Sequence, residues 1–216
     1  MEIHNFRKLL WHLILFSKKF RYFFYNPSIN SNLINIPYFK QGDTGAKTQK
    51  EKELWSKNGC GMACLKMILV HKLNKNIPIF KLGEKCIEYG GFIENKSSPD
   101  GLDGLFYKPF LNFIYKEFNL EGKIISPMVL EEIIENLVNK NYVIASVSSQ
   151  IRNPQSNPTK IGSGGHLVLI TGFDFNKKVF YIHNPSGDTK FTKPNTEIFF
   201  SDFKKFFAQR GIVING

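Results

Sequence analysis

Two cysteines four residues apart, Cys60 and Cys64, sit in "NGCGMACLKMIL" with a glycine on each side of the first. Five chemistries could claim such a pair: a metal site, a disulfide, a redox couple, a plain apolar helix, or a thiol nucleophile. With three cysteines in 216 residues, a disulfide framework has too few and an odd number. Neither a second cysteine pair nor a C-x-x-C spacing is present, so a structural zinc site lacks ligands and a thioredoxin-like couple has the wrong gap. No metal and no cofactor is expected. That leaves core packing and nucleophilic chemistry.

A helix starting near Gly59 would put Cys60 in its first turn, where unpaired N–H groups and the positive end of the dipole favour a thiolate. Gly59 and Gly61 would let a substrate approach the backbone there. Cys64 lies one turn further along a stripe with Ile68 and His71 and reads as core. An inert buried thiol is the alternative for Cys60. A thiol nucleophile needs a base, and the base an orienting group. "GSGGHLVLITGFD" presents His166 at the start of an apolar strand, after Gly164 and Gly165 in a glycine-rich loop that would face substrate. "KKVFYIHNPSG" ends its strand on Asn184. If the two strands form a hairpin with an odd-length turn, His166 and Asn184 share a face; an even turn without a bulge would present His183 instead.

The order Cys, His, Asn is that of papain-like enzymes, and at this point a family resemblance becomes specific. "GCGMACLKMIL" resembles the cysteine motif of the double-glycine leader peptidases found in bacteriocin exporters, peptidase family thirty-nine. "GGHLVLITGFD" and "VFYIHNPSG" are similar to that family's His strand and Asp/Asn-Pro strand. "IPYFKQ" resembles the opening segment of its stand-alone relatives. The likeness spans about residues 36–187 in three short blocks. It implies Cys60 as nucleophile, His166 as general base, Asn184 as orienter and Gln41 as oxyanion donor, with Gln49 a competitor for that last role. Many relatives carry Asp where this chain has Asn184. The implied activity is cleavage of a peptide or protein substrate through an acyl-enzyme. An acyltransferase or amidase using the same site, or a non-catalytic papain-like binding module, are the alternatives.

The elements that must position these residues can be outlined. Apolar spacing predicts helices from about Cys60 to Leu73, over "IPIFKLGEKCIEYG", over "LFYKPFLNFIYKEF", and over "SPMVLEEIIENLVNKN", with Ser126 as cap and Pro127 at the first position. "INIPYF" reads as a short strand and "KQGDTGAKTQKEKE" as a polar loop. "GKII", "YVIASVS", "HLVLITGFD", "KKVFYIHN" and "GIVI" read as strands, with a helix "SDFKKFFAQ" before the last. The loops "ENKSSPDGLDG" and "SSQIRNPQSNPTKIGSGG" are expected to frame a cleft. Helices first and an antiparallel meander later suggest α+β. With the resemblance, the expected fold is papain-like: a helical layer carrying the nucleophile, packed on a sheet carrying His and Asn.

The chain divides into an N-terminal segment, 1–30, broken off by "NPSINSN", and a papain-like domain, 31–216. The net charge of +11 comes from scattered Lys and Arg, without zinc-finger or RNA-binding motifs, so nucleic acid is not an expected partner. The apolar run "LLWHLILF" is far short of the roughly 20 residues that span a bilayer, and no small-residue cleavage site follows it. Residues 1–25 therefore read as an amphipathic helix, docked on its own domain or in peripheral contact with a membrane surface. Reduced thiols point to a cytoplasmic, membrane-associated or free, location.

Overall fold

The computed structural model describes residues 2–21, 29–95, 97–98, 100–159 and 162–216. Of the break expected at "NPSINSN", residues 26–28 lie outside them, while Ser31 and Asn32 open the first strand; four positions in the two cleft loops, Lys96, Pro99, Lys160 and Ile161, also lie outside. The chain runs α1 (Glu2–Arg21), β1 (Ser31–Leu33), α2 (Gln49–Asn58), α3 (Cys60–Leu73), α4 (Ile79–Glu88), α5 (Tyr107–Phe118), β2 (Gly122–Ile125), α6 (Leu130–Val138) and β3 (Tyr142–Val147). After a 3-10 turn at Ser149–Arg152 come β4 (His166–Asp174), β5 (Val179–His183), β6 (Thr196–Phe199), α7 (Phe200–Phe206) and β7 (Phe207–Ile214).

The sheet is antiparallel throughout, in the order β2-β7-β3-β4-β5-β6. Strands β3 to β5 form the expected meander, β6 extends it, and β7 returns to the other side of β3. Strand β1 pairs with residues 172–174 of β4, beyond the last residue that β3 covers. Both faces of the sheet are covered, which is why β3 and β4 read as unbroken apolar runs. Ile144, Leu167, Leu169, Ile212 and Ile214 face a core shared with α3, α4 and α5. Val143, Ala145, Val168, Ile170 and Val213 face a second core with Ile133, Ile134 and Phe203 of α6 and α7.

Several local expectations are corrected. The stretch read as a polar loop contains α2, whose start is fixed by a capping box. Thr48 Oγ1 accepts from the Glu51 N–H, and the Glu51 carboxylate accepts from the Thr48 N–H. Ser126 and Pro127 precede α6 instead of opening it, because the chain there bonds to β7: the Met128 N–H donates to Gln209 O at 2.8 Å. Glu132 then closes the helix start by accepting from the Val129 N–H. Pro37 lies outside any strand; the pairing segment is Ser31–Leu33. The final strand begins at Phe207, taking the end of the expected last helix, and β6 was not foreseen.

Helix α1 docks on α6. Leu15 and Trp11 pack against Val129, and Lys18 Nζ donates to Pro127 O and to the Glu132 carboxylate at 2.6 and 2.9 Å. Leu9, Leu13 and Phe16, on another stripe of the same helix, stay exposed.

Trp55 and Gly83 lock α2 to α4. Trp55 is 1% exposed, and a Cβ at Gly83 would run into its ring. Alanine usually improves a helix interior by about 1 kcal/mol over glycine. Here Gly83→Ala is expected to lower unfolding free energy by about 3 kcal/mol through overpacking, read as a loss in urea midpoint at unchanged m-value.

Candidate active site

Gly59 ends α2 and opens α3. Its N–H donates to Trp55 O, and its own carbonyl accepts from the Ala63 N–H, both at 2.8 Å. Cys60 is thereby the first residue of α3, a helix whose Met62, Ala63, Leu65, Ile68 and Leu69 are wholly buried. Gly59 and Gly61 do not line the cleft. A Cβ at Gly59 would meet Trp55 O and Ile79, and one at Gly61 would stand 2.7 Å from Leu105 and 3.1 Å from Leu167. Their small size serves helix packing, which corrects the expectation of substrate contact. Gly164 also stays outside the lining, while Gly165, with φ +109°, is exposed on it.

The hairpin of β4 and β5 decides which side chain stands behind His166. Its turn has four residues, since Asp174 pairs with Val179. By alternation alone, an even turn would bring His183 to the imidazole. A bulge at Thr171, between the Ile170↔Ile182 and Gly172↔Tyr181 pairs, shifts the register by one. His166 Nε2 then meets Asn184 Oδ1 at 2.8 Å. The shared face was expected; the device that produces it is a bulge and not an odd turn. His183 serves structure: its Nε2 donates to Ile36 O at 2.8 Å, and its Nδ1 accepts from the Asn195 N–H at 3.0 Å.

The orientation of Asn184 is set by Ser186, whose backbone N–H reaches Oδ1 at 3.2 Å. A backbone donor demands the oxygen there. His166 must therefore carry its proton on Nε2, and in the neutral ring Nδ1 is left with a free lone pair. Three further contacts hold the Asn184 loop. Tyr38 OH reaches Asn184 O and Thr192 O, the Gln41 N–H donates to Pro185 O at 2.8 Å, and Arg152 Nη2 donates to Ser186 Oγ. Arg152 escaped the sequence reading, because nothing in "SSQIRNPQ" distinguishes it from the many scattered cations.

Gln41 is buried, and its Nε2 donates to Ser56 O at 2.5 Å, on the last turn of α2. It ties that turn to the segment after Asn184 and stands behind the cleft rather than on its lining. One Nε2 proton remains uncommitted by that bond. Gln49, the competitor, is exposed at the start of α2 and donates to Glu53, away from the site.

Cys60 and His166 line one cleft of about 750 Å³. Leu102, Leu105, Phe106 and Tyr107 supply much of its apolar wall, with Asn58, Ser98, Asp100 and Asp103 at its polar rim. The loop at 94–104 thus frames the cleft as expected. Among the described residues no group of His, Cys, Asp and Glu side chains could hold a metal.

Electrostatically, the resting pair is neutral. Burial pushes the Cys60 thiol above the ordinary value, against backbone N–H groups of Leu167, Gly61 and Cys60 and the charge of Arg152, which favour the thiolate. Cys60 keeps some exposure, so this push is weaker than the one on wholly enclosed Cys64, which rises well above the ordinary range. Burial holds His166 down at about 4, despite the bond that its Nε2–H donates to Asn184 Oδ1. The expectation of a depressed Cys60 pKa is corrected: desolvation outweighs the helix start.

The sequence model of the Peptidase_C39-like family matches residues 33–213. In fold the chain is similar to a putative C39-like peptidase from Bacillus anthracis, with 15% identity and a TM-score of 0.59 over 85% of this chain and 97% of that one. It is also similar to the peptidase domain of Streptococcus ComA, a bi-functional ABC transporter of a quorum-sensing pathway. There the identity is 14% and the TM-score 0.48, over 73% of this chain and 91% of that domain. No curated protein matches. The architecture is that of the papain-like peptidases, helices and an antiparallel sheet meeting at a Cys-bearing helix start. Within that class, the chain belongs to the Peptidase_C39-like family.

The His166 pKa carries a stability consequence. Between pH 6.5 and about 4 the unfolded chain binds a proton that the folded imidazole refuses. Stability is therefore full above pH 6.5 and falls on acidification, by about 3 kcal/mol from this residue. His183, also held down by burial, adds a slope of the same sign. His166→Gln is expected to flatten, without abolishing, the fall of Tm between pH 6.5 and 4; an unchanged profile would contradict the neutral buried imidazole.

Proposed function

We propose that this protein is a thiol peptidase in which Cys60 is the nucleophile, His166 the base and Asn184 the orienter. The observation that carries this reading is the Ser186–Asn184–His166 chain, which leaves the basic Nδ1 as the imidazole's working nitrogen in the cleft that Cys60 lines. Cys60 Sγ attacks the carbonyl carbon of a peptide bond as His166 Nδ1 takes the thiol proton. The oxyanion is held by the Cys60 N–H at the start of α3, while Gln41, tied to Ser56 O, holds the turn that leads into it. As the C–N bond breaks, His166 returns that proton to the departing amine, leaving a thioester. Water, deprotonated by His166, then releases the carboxylic acid and the thiol. A neutral orienter suits a neutral resting pair: Asn184 fixes the ring and its tautomer without favouring imidazolium.

The test is cleavage of a mixed peptide library in labelled water, read by mass spectrometry. Cys60→Ala and His166→Ala are expected to lose ~10³-fold or more in kcat/KM, and Asn184→Ala about 10- to 100-fold. One labelled oxygen should enter each new carboxylate. Label-free acyl products on added amines would instead make the chain a transferase. In alkylation, Cys60 should be modified before Cys64 and Cys86, with a rate still rising near pH 9.

A second reading concerns location. We infer that α1 rests on a membrane surface through Leu9, Leu13 and Phe16, exposed by 58%, 57% and 72%. No described helix is long and apolar enough to cross a membrane. The three unpaired thiols suit a reducing, cytoplasmic compartment. Anionic phosphatidylserine vesicles should co-sediment with the protein but not with a Leu13→Glu, Phe16→Glu variant.

A further inference from the structure

Strand β7 leaves regular pairing at Arg210. It keeps step with β3 at Ala145↔Gly211 and resumes at Val147↔Phe207. Three residues, 208–210, thus stand opposite Ser146 alone, and Gln209 takes a φ of +53° to accommodate them. Bulges re-aim side chains, and a left-handed non-glycine residue is tolerated only where the surroundings hold it. Here the Met128 N–H bond to Gln209 O holds it. The result puts Arg210 on the cleft lining with Ser146, whose partner across β4 is Leu167, next to His166.

Gly164 makes room for that side chain. Its φ lies outside the left-handed region, so its lack of a side chain is a matter of space. A Cβ there would collide with Arg210 Nη2 and stand 2.9 Å from Ser146 Oγ. Among the described residues no carboxylate pairs with Arg210. Of the cleft's two carboxylates, Asp103 accepts from Asn95 at 2.9 Å, and Asp100 lies with Ser98 on the 94–104 loop. A guanidinium is a planar fork matched to a carboxylate, and this one stands on the substrate surface without its counter-ion.

We propose that Arg210 is an anion-binding subsite of the cleft, and that the peptide cleaved carries a carboxylate, as an acidic side chain or a free C-terminus, beside the scissile bond. The substrate half of this statement rests on the peptidase reading; the subsite does not. Two measurements separate them. The first compares alkylation of Cys60 by anionic iodoacetate and by neutral iodoacetamide, as a ratio within each folded variant. The ratio is expected to fall about tenfold in Arg210→Gln, the scale of one charge-assisted hydrogen bond, to fall further in Arg210→Glu, and to recover in Arg210→Lys. A ratio equal in wild type and Arg210→Gln overturns the subsite. The second sequences products from peptide libraries with free and with amidated C-termini. An Asp/Glu preference that survives amidation identifies a side chain, and one lost on amidation identifies a terminus. Arg210→Glu should turn either preference toward Lys and Arg. Cleavage indifferent to charge, or unaltered by Arg210→Glu, overturns the substrate proposal. An Arg210-dependent ratio with no peptide cleaved keeps the subsite and removes the peptidase reading.

Discussion

A strand shows its side chains to alternate faces, so a single residue of register decides whether His166 meets an amide or a second imidazole. The four-residue turn after Asp174 sets the wrong parity, and the bulge at Thr171 restores the right one. Thr171 Oγ1 donates to Asn195 Oδ1 at 2.8 Å, and the Asn195 N–H donates to His183. The group that would have occupied the site under the other register is thus tied into the scaffold that prevents it. The tautomer of His166 and the position of its lone pair follow from that one inserted residue.

The other half of the site depends on steric fit between helices. Cys60 is presented where α2 meets α3 at a glycine that nothing larger can replace, against Trp55 and Ile79. Gly61 then lets α3 settle on Leu167, the residue after the imidazole. The Leu167 N–H is also among the groups that favour the thiolate. Gln41 joins the two halves, its main chain on Pro185 and its side chain on Ser56. Backbone hydrogen bonding and close packing, rather than ion pairs, align thiol and imidazole.

The main helices and strands were legible because their burial follows their periodicity, as in α4 and α6, or because they are apolar and covered on all sides, as in α3, β3 and β4. Cys60, His166 and Asn184 were picked out as candidates through residue type and order, and the structure brings His166 to Asn184 and to the cleft that Cys60 lines. Helix α2 was missed because half of its residues are charged, although Thr48 and Glu51 carry a visible capping signature. The Thr171 bulge, and the one before Arg210, are tertiary decisions without a local mark. The same holds for Gly59 and Gly61: "GCG" announces small size, but only the positions of Trp55, Ile79 and Leu105 reveal what it is for. The thiol's pKa was misjudged for a related reason. A helix start can be read from a sequence, whereas the depth of desolvation around it cannot.

The neutral resting pair bears on how such a protein endures oxidants. Peroxide attacks the thiolate, and a sulfenic acid formed at a nucleophile ends its turnover until it is reduced. On the peptidase reading proposed above, a thiol that burial holds protonated, sharing its cleft with an imidazole that takes its proton only when a carbonyl is in place, would present little of the vulnerable species between turnovers. The desolvation that raises the Cys60 thiol's pKa would then also lengthen its chemical lifetime.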